Sequence, residues 1–289
     1  MTSIVIPAHN EASSIGANLD ALLAGAVHGE FEIVVVANGC TDTTAAVARA
    51  RGVAVIDLAE PGKAGALDAG DAATSSYPRV YLDADIMTDA HTLREVCSAF
   101  RPGSDSSGAV LAAAPGRHLV LTGRPWAVRS YYAIQSRLPA ARNGLYGRGM
   151  IALSDAGRQR FGTFPRLIAD DLYLDSLFSS DEKRILSSVS TTVETPMRTR
   201  DLVRRLARVR RGNALLRKAA AEGKVDVAIR QSDRTSWLRD VVLREPSLAV
   251  AAVVYVVITV AAAVRARSLS SDSWLRDDSS RESAGGRVA

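Results

Sequence analysis

The chain has 289 residues, 47% hydrophobic and 23% charged, which permits a full core in one large domain or two small ones and is ordinary for a globular protein. Its net charge of +5 favours anionic partners such as nucleotides, phospholipid headgroups or nucleic acid without choosing among them. Two cysteines, Cys40 and Cys97, exclude a disulfide framework and a cysteine metal cluster, and they suit a reducing cytosol.

No charged segment followed by an apolar one opens the chain, so no secretory signal is expected. Ser3-Ile4-Val5-Ile6-Pro7 reads as a buried first strand, followed by the loop Ala8-His9-Asn10-Glu11. Ile15, Leu19, Leu22 and Leu23 then recur at helical spacing within residues 11–24. Residues 31–36 are almost wholly apolar, as a strand covered on both faces should be. Asn38-Gly39-Cys40-Thr41-Asp42 is turn chemistry leading into a helix over 43–51, with Thr41 or Asp42 as its N-cap. A third strand over 53–57, a helix from Pro61-Gly62-Lys63 to Ala73 and a fourth strand over 80–83 follow. This alternation predicts a mostly parallel sheet with helices on both faces.

Beyond Asp85 the pattern loosens. Thr88 is the expected cap of a helix reaching Phe100, Gly103 to Gly108 a polar loop, and 109–114 with 118–121 a hairpin turning at Pro115-Gly116. Helices are expected over 126–138, 155–161 and from Ala169, and a last strand over 185–193. A Gly-rich loop with a short strand is expected over 143–150. An arginine-rich helix begins at Arg198. Leu248 to Val264 is an uncharged run of 17 residues, at the short end of what spans a bilayer. Arginines flank it on both sides, so positive-inside counting sets no orientation. It either crosses a membrane, lies at the interface or in an oligomer contact, or is a buried core helix. The tail from Ser268 is polar and is expected to be disordered. No internal repeat is present in the sequence.

Three loops after early strands carry polar residues that folding does not demand. If the sheet is parallel, Glu11, Asn38 and Asp42 share one edge with Asp83 and Asp85 and can hydrogen-bond a base and ribose. Lys63, after Gly62, can meet a phosphate. Asp83 and Asp85, two apart at a strand end, can project together and hold a hard cation, since Mg²⁺ takes one or two carboxylates plus substrate phosphates. Capping, turn chemistry and an acidic strand end are the plain alternatives for each motif taken singly.

The ordered set Ile4-Val5-Ile6-Pro7-Ala8-His9-Asn10-Glu11, Asn38-Gly39-Cys40-Thr41-Asp42, Gly62-Lys63-Ala64-Gly65-Ala66-Leu67-Asp68-Ala69-Gly70 and Leu82-Asp83-Ala84-Asp85 resembles the family 2 glycosyltransferases over roughly residues 3–215. The resemblance implies a GT-A fold, an α/β architecture with a mostly parallel Rossmann-like sheet. A basic helical region and a C-terminal hydrophobic helix would follow it. The expected divisions are 1–195 (catalytic), 196–245 (basic helical), 246–267 (membrane-associated) and 268–289 (tail). The resemblance also implies a nucleoside pocket lined by Pro7, Ala8, Glu11 and Asp42, Lys63 near the donor, and Mn²⁺ or Mg²⁺ on Asp83 and Asp85. Asp170-Asp171 resembles the family's acidic pair, usually Glu-Asp, and implies Asp171 as catalytic base with Asp170 positioning the acceptor. Arg205-Leu206-Ala207-Arg208-Val209 lies where processive relatives carry Q-x-x-R-W. Gln and Trp are absent, so processive synthesis is not expected, while Arg208 can still hold the diphosphate. The implied reaction moves a sugar, with inversion, from a UDP, GDP or dTDP donor to a hydroxyl acceptor. Membrane attachment through the apolar run would suit a lipid-linked or cell-envelope acceptor at the cytoplasmic face of the membrane, and no nucleic-acid partner is expected. A nucleotidyltransferase would want a basic Gly-rich loop after the first strand, which is missing. A non-catalytic binding protein using the arginine helix is the alternative from another class.

Overall fold

The computed structural model describes residues 1–101, 109–167, 169–229 and 233–268. The expected loop at 103–108 and the tail after Ser268 lie outside the described residues. Seven strands form one sheet in the order β3-β2-β1-β4-β6-β5-β7. Strands β1 (Thr2–Ala8), β2 (Phe31–Asn38), β3 (Ala54–Leu58) and β4 (Arg79–Leu82) are mutually parallel, with Ile4 opposite Ile33 and Val80, and Val36 opposite Ile56. They are joined by α1 (Ile15–Ala24), α2 (Thr44–Arg49) and α3 (Lys63–Ala72). The near-continuous apolar runs of β1 and β2 are what such a sheet requires: Ile4, Val5, Val35 and Val36 are all fully buried. Val34, Val36 and Ala66 close one cluster with Ile56 and Leu58, so α3 lies against β2 and β3.

Strand β6 (Met150–Leu153) runs antiparallel to β4 and to β5 (Ala112–Val120), and β7 (Lys183–Glu194) is the outer neighbour of β5. The expected hairpin at Pro115-Gly116 does not form; β5 passes straight through it. A Cβ on Gly116 would lie 3.0 Å from the Val189 carbonyl oxygen, so the glycine admits the β7 backbone, while the Pro115 carbonyl accepts from Arg148 at 3.0 Å. Pairing with partners distant in sequence overrides the local turn signal. The cap of α4 (Ala90–Ser98) is Asp89, not Thr88: the Asp89 carboxylate accepts from the Thr92 N–H at 2.7 Å.

Chain contacts divide the protein into two compact units. The first comprises Met1–His118, Leu145–Arg166 and Leu177–Val193, and holds the sheet. A buried ionic knot braces it. Asp71, at the end of α3, accepts from Arg79 at 2.5 Å, from Arg158 at 2.6 Å and from the Tyr81 hydroxyl at 2.9 Å. Burial, followed by the Asp71 charge, pushes the Tyr81 phenol well above its ordinary range.

The second unit comprises Leu119–Gly144, Leu167–Ser176 and Glu194–Ala289. It is helical: α5 (Trp126–Gln135), α6 (Pro139–Asn143), α8 (Asp170–Ser176), α9 (Thr199–Ala221) and α10 (Ala249–Arg267); the short α7 (Asp155–Arg158) belongs to the first unit. Val128, Tyr131, Tyr132, Leu202 and Ile258 form a core between α5, α9 and α10.

Candidate functional site

Because β1, β2 and β4 run parallel, their C-terminal ends open on one edge of the sheet, where open α/β sheets bind ligands. Three of the sequence motifs lie there. Pro7 and Ala8 are the last residues of β1, both buried, opposite Val36 and Ala37. Asn38 ends β2 and is 2% exposed. Its amide donates to the Ala8 carbonyl at 2.8 Å and its Oδ1 accepts from the Gly62 N–H at 3.0 Å. One side chain therefore ties the ends of β1 and β2 to the start of α3, a positioning task. His9 Nδ1 lies 2.5 Å from the Asn38 carbonyl, which places the ring proton on Nδ1.

Asn10 adopts a left-handed backbone (φ +54°), a region asparagine tolerates better than other side chains. Its Oδ1 accepts from the Thr41 N–H at 2.7 Å. Asp42 accepts from the Ala12 N–H at 3.2 Å and, through its other oxygen, from the Thr44 N–H at 3.0 Å. The Thr44 hydroxyl in turn accepts from the Glu11 N–H at 2.7 Å. Thr43 is the cap residue of α2, yet Asp42 supplies the side-chain acceptor there. Glu11 also accepts from the Ser14 hydroxyl at 2.8 Å. These bonds lock the loops after β1 and β2 onto each other and leave Asp42 on the surface.

Lys63 opens α3, and its Nζ lies 2.6 Å from Asp83 Oδ1, with the two side chains 36% and 38% exposed. Strand β4 ends at Leu82, and Asp83-Ala84-Asp85 forms a turn closed by the Ile86 N–H on the Asp83 carbonyl at 3.1 Å. The two-residue alternation of an extended strand is thus not what presents the two carboxylates. Asp83 is half-buried, Ala84 buried and Asp85 exposed. Two residues that sequence reasoning missed hold this turn: Asn18 of α1 donates to the Ala84 carbonyl at 2.5 Å, and the Gly149 carbonyl accepts from the Asp83 N–H at 2.8 Å. Gly149 has φ +70°, and a Cβ there would lie 2.1 Å from Ile86. The glycine-rich segment was visible in sequence; its function at the turn was not.

Among the described residues no group of three or more His, Cys, Asp or Glu side chains converges as a cation cage. The exposed Asp85 beside Asp83 fits Mg²⁺ or Mn²⁺ of the kind that takes one or two carboxylates and fills its shell with ligand phosphates. Asp170 and Asp171 open α8, and the Asp171 carboxylate accepts from the Leu172 N–H at 2.7 Å. Arg208 is half-buried on α9. These three belong to the second unit, and the remaining predicted residues to the first.

A mostly parallel sheet with polar loops and carboxylates at its strand ends defines an α/β protein of the kind that binds ligands at that edge. The chain matches, over residues 3–137, the family described as Glycosyl transferase family 2. Uncharacterised glycosyltransferases of Mycobacterium tuberculosis and Mycobacterium bovis are 34% identical to it over 103 residues, which is 36% of this chain. The chain spans 45% of the length of these curated relatives. Among solved structures, the mannosyltransferase PcManGT from Pyrobaculum calidifontis, in complex with GDP-Man and Mn²⁺, superposes with a TM-score of 0.59 at 19% identity, covering 93% of this chain and 76% of that one. Glucosyl-3-phosphoglycerate synthase from Mycobacterium tuberculosis, with Mn²⁺, UDP-glucose and phosphoglyceric acid, gives a TM-score of 0.56 at 20% identity, covering 75% and 78%. At these identities the two structures establish the GT-A fold.

Proposed function

We propose that this protein transfers a sugar from a nucleoside-diphosphate donor to an acceptor hydroxyl, with inversion, in glycolipid, polysaccharide or cell-envelope synthesis at the cytoplasmic face of a membrane. The observation that carries the reading is the rim itself: the loops after β1 and β2 locked onto each other, and the turn after β4 on the same sheet edge, with Lys63 against Asp83 and Asp85 beside it. Glu11 and Asp42 face the nucleoside, on the floor made by Pro7 and Ala8, while Asn38 keeps the loops in register. Asp83 and Asp85 would hold the divalent cation, with Lys63 adding positive charge for the diphosphate, and Arg208 has the diphosphate role that its place in the sequence motif implies. When bound, that cation offsets the charge that develops on the departing nucleoside diphosphate. Asp171 takes the proton of the attacking hydroxyl, a poor nucleophile at neutral pH, and Asp170 positions the acceptor. The GDP-Man and UDP-glucose complexes of proteins with this fold support a sugar nucleotide as donor. The apolar α10 supports membrane association, being the helix among the described residues long and apolar enough to cross a bilayer.

The test is a thermal-shift screen of UDP-, GDP- and dTDP-sugars with Mn²⁺, followed by transfer assays on the donor that binds. A donor at 100 times its Kd stabilises the fold by about 2.7 kcal/mol. Turnover should require the metal and vanish in Asp85→Ala. The absence of a shift with every donor refutes the proposal.

A further inference from the structure

Helix α10 is apolar on every side, with no charged side chain between Glu245 and Arg265. One face is used inside the second unit. Ile258 packs with Val128, Tyr131 and Leu202, Ala252 packs with Ile134 and Val241, and the Tyr255 ring stacks on Tyr131 at 5.2 Å. The opposite face is bare. Val250, Val253, Val257, Val260 and Val264 recur at spacings of three and four and are 66%, 64%, 61%, 54% and 60% exposed. A helix that is hydrophobic all round is stable only when covered all round.

Two covers fit poorly. If α10 crossed a bilayer with its packing intact, α9 would follow it through Leu202, Val203 and Leu206. The α9 arginines, Arg204, Arg208, Arg210 and Arg211, would then enter hydrocarbon, where charged side chains are rare and costly. A second copy pairing along the valine seam would want charges beside the seam to set partner and register. The flanking positions are Ala249, Val254, Val256, Ala261 and Ala263, apolar throughout. Charge sits instead at the two ends, on the exposed Arg265 and Arg267 at one and on Arg244 at the other, where the neighbouring Glu245 is paired with Arg137 at 3.0 Å. Apolar contact between basic ends is the complement of an anionic lipid surface.

We propose that α10 docks in the plane of an anionic bilayer without crossing it, valine face in the acyl boundary and the terminal arginines at the phosphates. This deepens the membrane-association reading above and rests on it. The experiment is flotation of the full chain with phosphatidylglycerol-containing vesicles and with phosphatidylcholine vesicles. The protein should float with the anionic vesicles, float less with the neutral ones and be stripped by alkaline carbonate. The triple variant Val253→Gln/Val257→Gln/Val260→Gln should lower partitioning by roughly tenfold or more, with an unchanged circular-dichroism melt because the three side chains are already exposed. Carbonate-resistant binding overturns the in-plane placement while sparing membrane association. No flotation of the parent chain overturns both. A parent dimer that the triple variant converts to monomer assigns the valine face to a second copy and overturns the proposal.

Discussion

Replacing Asp71 by Asn keeps the side-chain shape and removes the charge between Arg79 and Arg158. Asp71 and Arg79 are 9% and 3% exposed, so neither is rescued by water. The carboxylate accepts two charge-assisted bonds, from Arg79 at 2.5 Å and Arg158 at 2.6 Å, and the Tyr81 hydroxyl bond at 2.9 Å. Bonds to charged groups contribute ~1.5–3 kcal/mol each, and removing one partner of a buried ion pair costs ~3–5 kcal/mol because the other charge is left stranded. The asparagine oxygen keeps one acceptor, so the loss should fall near ~3 kcal/mol, a large share of the ~5–15 kcal/mol that holds a typical domain. Urea unfolding measures it: the midpoint should drop by roughly 1 M with the slope unchanged. Arg49→Gln serves as the control. Its partner Asp57 lies 3.5 Å away with both side chains about half exposed, and the change should cost below ~1 kcal/mol. An Asp71→Asn loss no larger than that of the control would show that Asp71 is not the keystone of the knot.

Gly149→Ala should destabilise by roughly 2 kcal/mol or more, from left-handed backbone strain plus collision with Ile86, and should weaken donor binding as the Asp83 turn shifts. Gly29→Ala, at φ +75° with nothing within 4 Å of the added Cβ, isolates the backbone part, and equal melting points for the two variants would refute the collision argument. The Arg94 hydrogen bonds hold the Glu30 carboxyl down at about 2 from an ordinary 4.5. Because the folded value is depressed, the stabilisation is present above about 4.5 and fades as pH falls toward 2. The stability gap between the parent and Arg94→Gln should therefore be open at pH 6 and narrowed at pH 3. A gap that widens on acidification refutes it.

Most of the first unit was legible in the chain. Apolar runs flanked by turn residues placed β1, β2 and β4, because a strand covered on both faces excludes most polar residues whatever its partners, while β3, a half-exposed edge strand, shows in its Val-Ile run. Asp89, the α4 cap, is one residue from the expected Thr88. Asn38, Asp42, Asp83 and Asp85 are legible as rim residues because they follow strand ends, and Lys63 stands out by its place after Gly62. What each does there depended on partners far away in sequence. Asn38 turns inward to backbone, Lys63 reaches Asp83, and Asn18 and Gly149 carry the turn without belonging to any motif. Asp71 carried no signal, since a buried ionic knot has no local period.

The sequence by itself determined the alternating strands and helices of the first half, the loops that carry chemistry and the apolar run at the end, all properties of short windows. Only the tertiary structure decided that Pro115-Gly116 lies inside a strand, that Asp71 anchors two arginines, and that α10 is covered on one face and bare on the other. Each of these turns on which distant surface meets a segment, and local periodicity holds no record of that.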